Sequence, residues 1–138
     1  MTNTMTQPTL KIRINNNNTM DMDIKWSDIV FVNFGENEGS EQGGERPAII
    51  IQNNKGNSAS PCTLVALITS KHKHNLPTHI TLYPDNNNGL TKVSTIMCEQ
   101  ITTIDKSRIL YKLGHIETEG IANRILNSLS IAFSKNYC

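Results

Sequence analysis

Arg46 and the pair Thr69-Ser70 are residues whose types and positions suit chemistry on a phosphate group. Arg46 ends the glycine-rich polar loop 39–45, and Pro47 after it favours an extended backbone at the arginine. A planar guanidinium can donate two parallel hydrogen bonds to phosphate oxygens. Thr69 and Ser70 end an apolar run, where small hydroxyls can project into a groove. The alternatives are an arginine merely exposed on a hairpin loop and an ordinary strand end.

Positive charge follows directly after Ser70, in the run Lys71-His72-Lys73-His74. Basic residues beside a groove are typical of proteins that bind a nucleic-acid backbone. The formal net charge of the chain is only +1, so any such binding must come from a local patch. A solvated loop is the alternative interpretation of this run.

Three other kinds of site find less support. A metal would have to use the His72/His74 pair with the more distant His79 and His115, and zinc sites need three or four converging ligands. We therefore expect no metal and no cofactor. Cys62 and Cys98 lie beside apolar runs and are predicted to be buried and inert. Nothing places two carboxylates across a cleft, although three candidates exist, Glu41, Glu45 and Glu99.

The bulk properties predict one cytoplasmic domain. At 138 residues the chain can bury a core without disulfides or a metal. Its three cysteines show no CxxC spacing, and the N-terminus lacks a signal-peptide pattern, which favours reduced thiols in a cytoplasm. No segment approaches the apolar run needed to cross a bilayer, so no membrane association is expected.

The elements that must position these residues are short strands followed by one helix. Residues 1–24 are rich in Thr, Asn and Met and are interpreted as a poorly ordered extension, with at most a short edge strand, to a domain spanning 25–138. An amphipathic helix is predicted because apolar residues recur every three to four positions on one face: Ile121, Ile125, Leu129 and Phe133 or Ala132. A turn is predicted at 53–57. Apolar, β-branched runs predict strands in the following segments: 29–34, 47–52, 62–69, 78–83, 94–98, 100–103 and part of 109–116. This order predicts a mainly β fold, a small curved sheet or barrel with a C-terminal helix packed on it.

Several separated motifs occur in a recognisable order. They are Trp26-Ser27-Asp28-Ile29-Val30, the loop Gly39 to Pro47, Ile51-Gln52-Asn53, Ser60-Pro61, Ile68-Thr69-Ser70, Leu76-Pro77-Thr78-His79, Glu99-Gln100-Ile101 and Thr103-Ile104-Asp105-Lys106. In this order they resemble the MazF/PemK family of toxin endoribonucleases, most closely its Gram-positive branch. The resemblance covers about residues 25–134 and leaves the N-terminal extension outside.

The resemblance implies a single-domain SH3-like barrel that forms a homodimer, with an RNA groove across the subunit interface. The implied activity, in a type II toxin-antitoxin system, is metal-independent cleavage of single-stranded messenger RNA at a short sequence, blocked by an antitoxin protein. The implied catalytic residues are Arg46 and Thr69. The implied RNA-binding residues are Ser40, Glu41, Gln42, Ser70, Lys71, Lys73 and Gln100. The general base stays open between Glu41 and the nearby histidines.

Two other functions stay open at this point. A non-enzymatic toxin on the same barrel, like the CcdB toxins that trap DNA gyrase, would not need the pair Arg46 and Thr69. A relative that only binds RNA or an antitoxin could keep both residues, because activity depends on geometry.

Overall fold

The computed structural model describes residues 12–14, 20–35, 43–71 and 75–135. Within these ranges the chain forms β1 (Ile12–Ile14), β2 (Met20–Met22), β3 (Asp28–Asn33), β4 (Glu45–Ile50), α1 (Asn54–Ala59), β5 (Cys62–Thr69), β6 (His79–Leu82), β7 (Ser94–Asp105), a 3₁₀ turn (Lys106–Arg108), β8 (Ile109–His115) and α2 (Glu119–Ala132). The apolar runs predicted as strands all lie in strands of the structure. None of the helices in the described ranges is long and apolar enough to cross a membrane.

Six of the strands make one antiparallel sheet in the order β6-β7-β5-β4-β3-β8, while β1 and β2 pair separately. No ladder joins the edge strands β6 and β8, so the sheet is not closed by hydrogen bonds in the described part of the chain. The gap is bridged instead by the segment after β6, where the backbone oxygen of Asn87 accepts from the His115 N–H at 2.9 Å. The predicted β fold with a C-terminal helix is thus present as an open sheet whose edges meet through a loop.

Two apolar clusters lie on the two faces of the central strands. The first collects Ile29, Ile49, Ile68 and Ile80 with Ile125 of α2, all 0–1% exposed. The second cluster consists of residues from before β3 to the start of β8: Ile24, Val30, Val32, Ala48, Ile50, Val65, Ile104 and Ile109. Alternate residues of β3, β4 and β5 therefore enter opposite clusters, which explains why these strands read as nearly continuous apolar runs.

Helix α2 packs through the face that its periodicity predicts. Ile125 is buried, and Ile121 and Leu129 pack against the first cluster. The last residue of this apolar face is Ala132, which is half-buried and ends α2, whereas Phe133 is 75% exposed.

The turn predicted at 53–57 is wrong, because this segment begins the short helix α1. Asn53 is the N-cap, and its side-chain oxygen accepts from the Gly56 N–H at 2.8 Å. The buried Asn57 holds the helix to β5, since its side-chain oxygen accepts from the Thr63 hydroxyl at 2.8 Å. Local capping and a buried amide thus outweigh the turn preference of this Asn-rich stretch.

The two strand pieces predicted at 94–98 and 100–103 are one strand, β7. Its pairing with β5 jumps from Leu67↔Met97 to Ala66↔Ile101, so β7 bulges over residues 98–100. The break predicted by the sequence is therefore the position of this bulge.

Candidate active site

Strands β4 and β5 bring together two residues that are far apart in sequence. The strands are antiparallel neighbours, and Ala48 pairs with Leu67. The ladder ends at this pair, and Arg46 and Thr69 each lie two residues beyond it on adjacent strands. The hairpin that carries α1 makes this possible, because it returns the chain from the end of β4 to the start of β5.

Arg46 and Thr69 line one cleft at this end of the sheet, with a volume of about 490 Å³. Its walls come from β3, β4, the end of β5, the segment before β7, and β8. The lining residues are Phe31, Glu45, Arg46, Pro47, Ile68, Thr69, Ser70, Lys71, Gly89, Leu90, Thr91, Lys92, Ser94, Tyr111 and Leu113.

The hydroxyl of Thr69 is held in a defined setting. Thr69 is only 4% exposed, and its Oγ1 accepts a hydrogen bond from the Lys71 N–H at 3.1 Å. A threonine hydroxyl that accepts one bond can still donate its proton to an acceptor such as a phosphate oxygen. The same contact fixes the turn that carries Ser70 and Lys71.

Positive charge is concentrated at this cleft. Three cationic side chains, Arg46, Lys71 and Lys92, line it together with one carboxylate, Glu45. Since the whole chain carries only +1, the cleft is the kind of local cationic patch that the sequence requires for an anionic ligand.

The structure brings together four of the predicted site residues, Arg46, Thr69, Ser70 and Lys71. Gln100 lies half-buried in the β7 bulge and is not a lining residue of this cleft. The other predicted RNA-binding residues lie outside the described ranges: Ser40, Glu41, Gln42 and Lys73.

Sequence reasoning missed Phe31, Lys92 and Tyr111. Phe31 and Tyr111 lie in segments that were assigned to strands only, and nothing in the sequence indicates that β3 pairs with β8. Lys92 lies in the segment that returns from β6 to β7, and only the folded chain brings it beside the end of β5.

A second cluster of polar side chains surrounds Glu99 at the β7 bulge. Its carboxylate accepts from the Thr78 hydroxyl at 2.8 Å and lies 3.0 Å from His79 Nε2. Burial opposes ionisation of Glu99, but the hydrogen bonds from His79 and Thr78 outweigh it and lower the pKa of the carboxyl. Burial, with a smaller contribution from Glu99, raises the pKa of the neighbouring Cys98 thiol to about 11.

The two described cysteines differ in their surroundings. Cys98 is 0% exposed and its raised pKa keeps it a thiol at neutral pH, as predicted for an inert cysteine. Cys62 is only half-buried, which corrects the prediction, because it is the first residue of β5 and sits at the end of the strand. In the described ranges no group of three or more His, Cys, Asp or Glu side chains could hold a metal ion, and His72 and His74 lie outside those ranges.

Replacing Glu99 by glutamine is expected to lower thermal stability at neutral pH and to have little effect in acid. The folded pKa of Glu99 is below its ordinary value of 4.5. The carboxylate therefore stabilises the folded state above that value and loses its contribution as the pH falls through the folded pKa. Melting temperatures of the wild type and E99Q, measured from neutral pH down to about pH 3, should converge in acid.

The exposed pair Glu117 and His115, 2.6 Å apart, offers a matched control. E117Q should change the melting temperature little, because exposed ion pairs contribute little to stability. A constant difference between E99Q and wild type across the pH range would contradict the role given to Glu99.

The sequence identifies the class of protein to which this fold and cleft belong. Residues 25–133 match the PemK-like, MazF-like toxins of type II toxin-antitoxin systems, and the chain belongs to this family. The resemblance found in the sequence motifs is thereby confirmed. The endoribonuclease EndoA of Bacillus subtilis (strain 168) is 39% identical over 114 residues, which are 82% of this chain and 97% of EndoA.

Solved structures confirm the fold. An endoribonuclease in complex with its cognate antitoxin, from Mycobacterial species, matches 84% of this chain and 100% of its own with a TM-score of 0.67 and 19% identity. MazF from Deinococcus radiodurans matches 78% of this chain and 93% of its own with a TM-score of 0.62 and 24% identity. The family match and the relative EndoA, rather than the shared fold, disfavour the gyrase-trapping alternative.

Proposed function

We propose that this chain is the toxin of a type II toxin-antitoxin system and cleaves single-stranded messenger RNA at a short sequence. The observation that carries the proposal is the convergence of Arg46 and Thr69 on one cationic cleft, although 22 residues lie between them in the chain. The family match and the relative named as an endoribonuclease support it.

The proposed reaction uses the nucleophile that RNA itself carries. The 2′-oxygen attacks the adjacent phosphorus and loses its proton, the bond to the 5′-oxygen breaks, and that oxygen takes up a proton. The products are a 2′,3′-cyclic phosphate and a 5′-hydroxyl. Arg46 stabilises the negative charge that develops on the non-bridging oxygens, and the Thr69 hydroxyl donates to the same phosphate. Arginine is almost never deprotonated, so Glu41 and the nearby histidines are the candidates for the proton acceptor, whose identity stays open.

Ser70 and Lys71 line the same cleft and are proposed to contact the RNA beside the reacting phosphate. Lysine binds phosphate as a point charge, whereas serine can hydrogen-bond base or backbone atoms. Ser40, Glu41, Gln42, Lys73 and Gln100 are proposed as further RNA contacts on the strength of the family resemblance.

An antitoxin protein is proposed as the partner that blocks the cleft. Two structural neighbours support this, an endoribonuclease solved with its cognate antitoxin and MazF of Deinococcus radiodurans solved with MazE. We also propose that the toxin domain spans 25–138, that 1–24 form an extension to it, and that the protein acts in the cytoplasm as a homodimer with the groove at its interface.

Incubation of the purified protein with a long mixed-sequence RNA tests this function. We expect cleavage in the presence of EDTA, with fragment ends that carry 2′,3′-cyclic phosphate and 5′-hydroxyl groups. Sequencing of the ends should show a short common motif. Intact RNA would remove the main support for the enzyme, and 5′-phosphate ends would contradict the proposed chemistry even if the RNA were cut.

A further inference from the structure

Two aromatic side chains line the cleft without joining either apolar core cluster. Phe31 of β3 pairs in register with Tyr111 of β8, and their rings stack with centroids 5.3 Å apart and planes inclined by 22°. Both are only half-buried, and neither belongs to or packs against either apolar core cluster. Such a cross-strand pair stabilises the pairing of β3 with β8, and because it lies outside the core and inside the cleft, it is also placed to meet a ligand.

The pair continues a row of rings that starts beside the candidate catalytic arginine. Pro47 follows Arg46 in β4 and pairs in register with Phe31, which pairs in turn with Tyr111. All these side chains line the same cleft. The row ends at β8, which is the edge of the sheet among the described strands.

We propose that Phe31 and Tyr111 form a stacking platform for one unpaired nucleobase next to the phosphate held by Arg46 and Thr69. This inference rests on the proposed function and assigns a binding subsite to the same cleft. A cationic group adjoining aromatic rings is the pattern by which proteins hold single-stranded nucleic acid, the charge binding the backbone and the rings binding the bases. Preformed stacking of the two rings lowers the entropy lost when a base adds to the row.

Binding of a short mixed-sequence 2′-O-methyl RNA tests the platform. This RNA lacks the nucleophilic 2′-hydroxyl, so its affinity is measured without cleavage. Y111A should weaken binding about 5- to 100-fold, the range found when a base loses its aromatic partner. Y111F should bind within about twofold of wild type, and Y111L should resemble Y111A, because a leucine fills space without a π-face.

Tyr83 provides the matched control. It is 68% exposed and does not line the cleft, so Y83A should bind as wild type does. The slope of affinity against salt should be the same in wild type and Y111A, because tyrosine neutralises no phosphate. The platform would be overturned if Y111A bound the RNA as tightly as the wild type, or if Y111L and Y111F bound it equally well.

An oligonucleotide series with one base removed at each position locates the stacked base. At that position, removal of the base and Y111A should be strongly non-additive, because both remove the same contact. If the effects of base removal and of Y111A on the binding free energy add at every position, the platform is overturned. It is also overturned if Y111A binds more weakly and elutes as a smaller oligomer in gel filtration. A failure of the proposed function is a separate result, since the wild type would then leave natural RNA intact whatever its affinity for the 2′-O-methyl RNA.

Discussion

Replacing Arg46 by alanine is expected to reduce the rate of RNA cleavage at least about 100-fold, the loss typical of removing one preorganised donor to a developing oxyanion. The phosphorane formed by 2′-oxygen attack carries more negative charge on its non-bridging oxygens than the starting phosphate. A guanidinium fixed at the start of β4 therefore stabilises the transition state more than the bound substrate. Cleavage of a labelled RNA under single-turnover conditions measures this loss.

The controls separate loss of charge from loss of structure. R46K keeps the charge but not the planar fork, so its rate should lie between those of R46A and wild type. Arg124 is an exposed arginine of α2 that does not line the cleft, and R124A should cleave at the wild-type rate. R46A should keep the fold, because the ladder of β4 is formed by backbone groups, and its circular dichroism spectrum checks this. Wild-type cleavage by R46A would place the active site elsewhere.

Thr69 supplies a second test of the same site. T69A should also be slow, and T69S should recover activity because it keeps the hydroxyl. If Arg46 and Thr69 act on one phosphate, the double variant should lose less than the product of the two single losses. Independent losses would show that the two side chains contact different groups.

The sequence predicts the central strands β3, β4 and β5 well because they are buried on both faces. Ile49 and Ile50 enter different core clusters, so an apolar run without strict alternation still indicates a strand. The sequence does not predict which strands pair, because register depends on contacts between segments far apart in the chain. Residue types alone thus indicate that Arg46 and Thr69 suit a phosphate, but only the register of β4 with β5 places them together.

The parts that could not be predicted are those fixed by single buried polar groups or by nonlocal pairing. Helix α1 depends on Asn57, whose hydrogen bond to Thr63 needs the folded sheet. The aromatic pair in the cleft depends on the neighbouring positions of β3 and β8, which are joined by no short hairpin. The family resemblance supplied the catalytic roles of Arg46 and Thr69, but the structure alone indicates the platform of Phe31 and Tyr111.

Replacing Gly89 by alanine is expected to destabilise the fold by about 2–5 kcal/mol, the combined cost of a left-handed backbone and an overpacked contact. Gly89 has φ +72°, and a Cβ built there would overlap the backbone oxygen of Leu113 and lie 2.6 Å from its carbonyl carbon. The neighbour is the backbone of β8 and cannot rotate away. Urea unfolding at fixed temperature measures the change in free energy of unfolding.

Two other glycines separate the causes of this loss. Gly44 has φ +83° but nothing within 4 Å of a built Cβ, so G44A isolates the backbone term, about 1–2 kcal/mol. Gly120 lies in α2 with open space around a built Cβ, so G120A should stabilise by up to about 1 kcal/mol through helix propensity. The excess cost of G89A over G44A then measures the contact between the loop and β8.

The contact can be tested from its other side at Gly114. A Cβ built there would overlap the backbone oxygen of Asn87 and lie 2.5 Å from the carbonyl carbon of Asn88. Because β6 and β8 share no ladder, this backbone packing is what joins the two edges of the sheet. The free energy of unfolding lost in G114A should therefore be similar to the difference between the losses in G89A and G44A. Equal losses of unfolding free energy in G89A and G44A, together with no loss in G114A, would show that the two edges are not joined by this contact. The cleft wall at Gly89 would then not be fixed by β8.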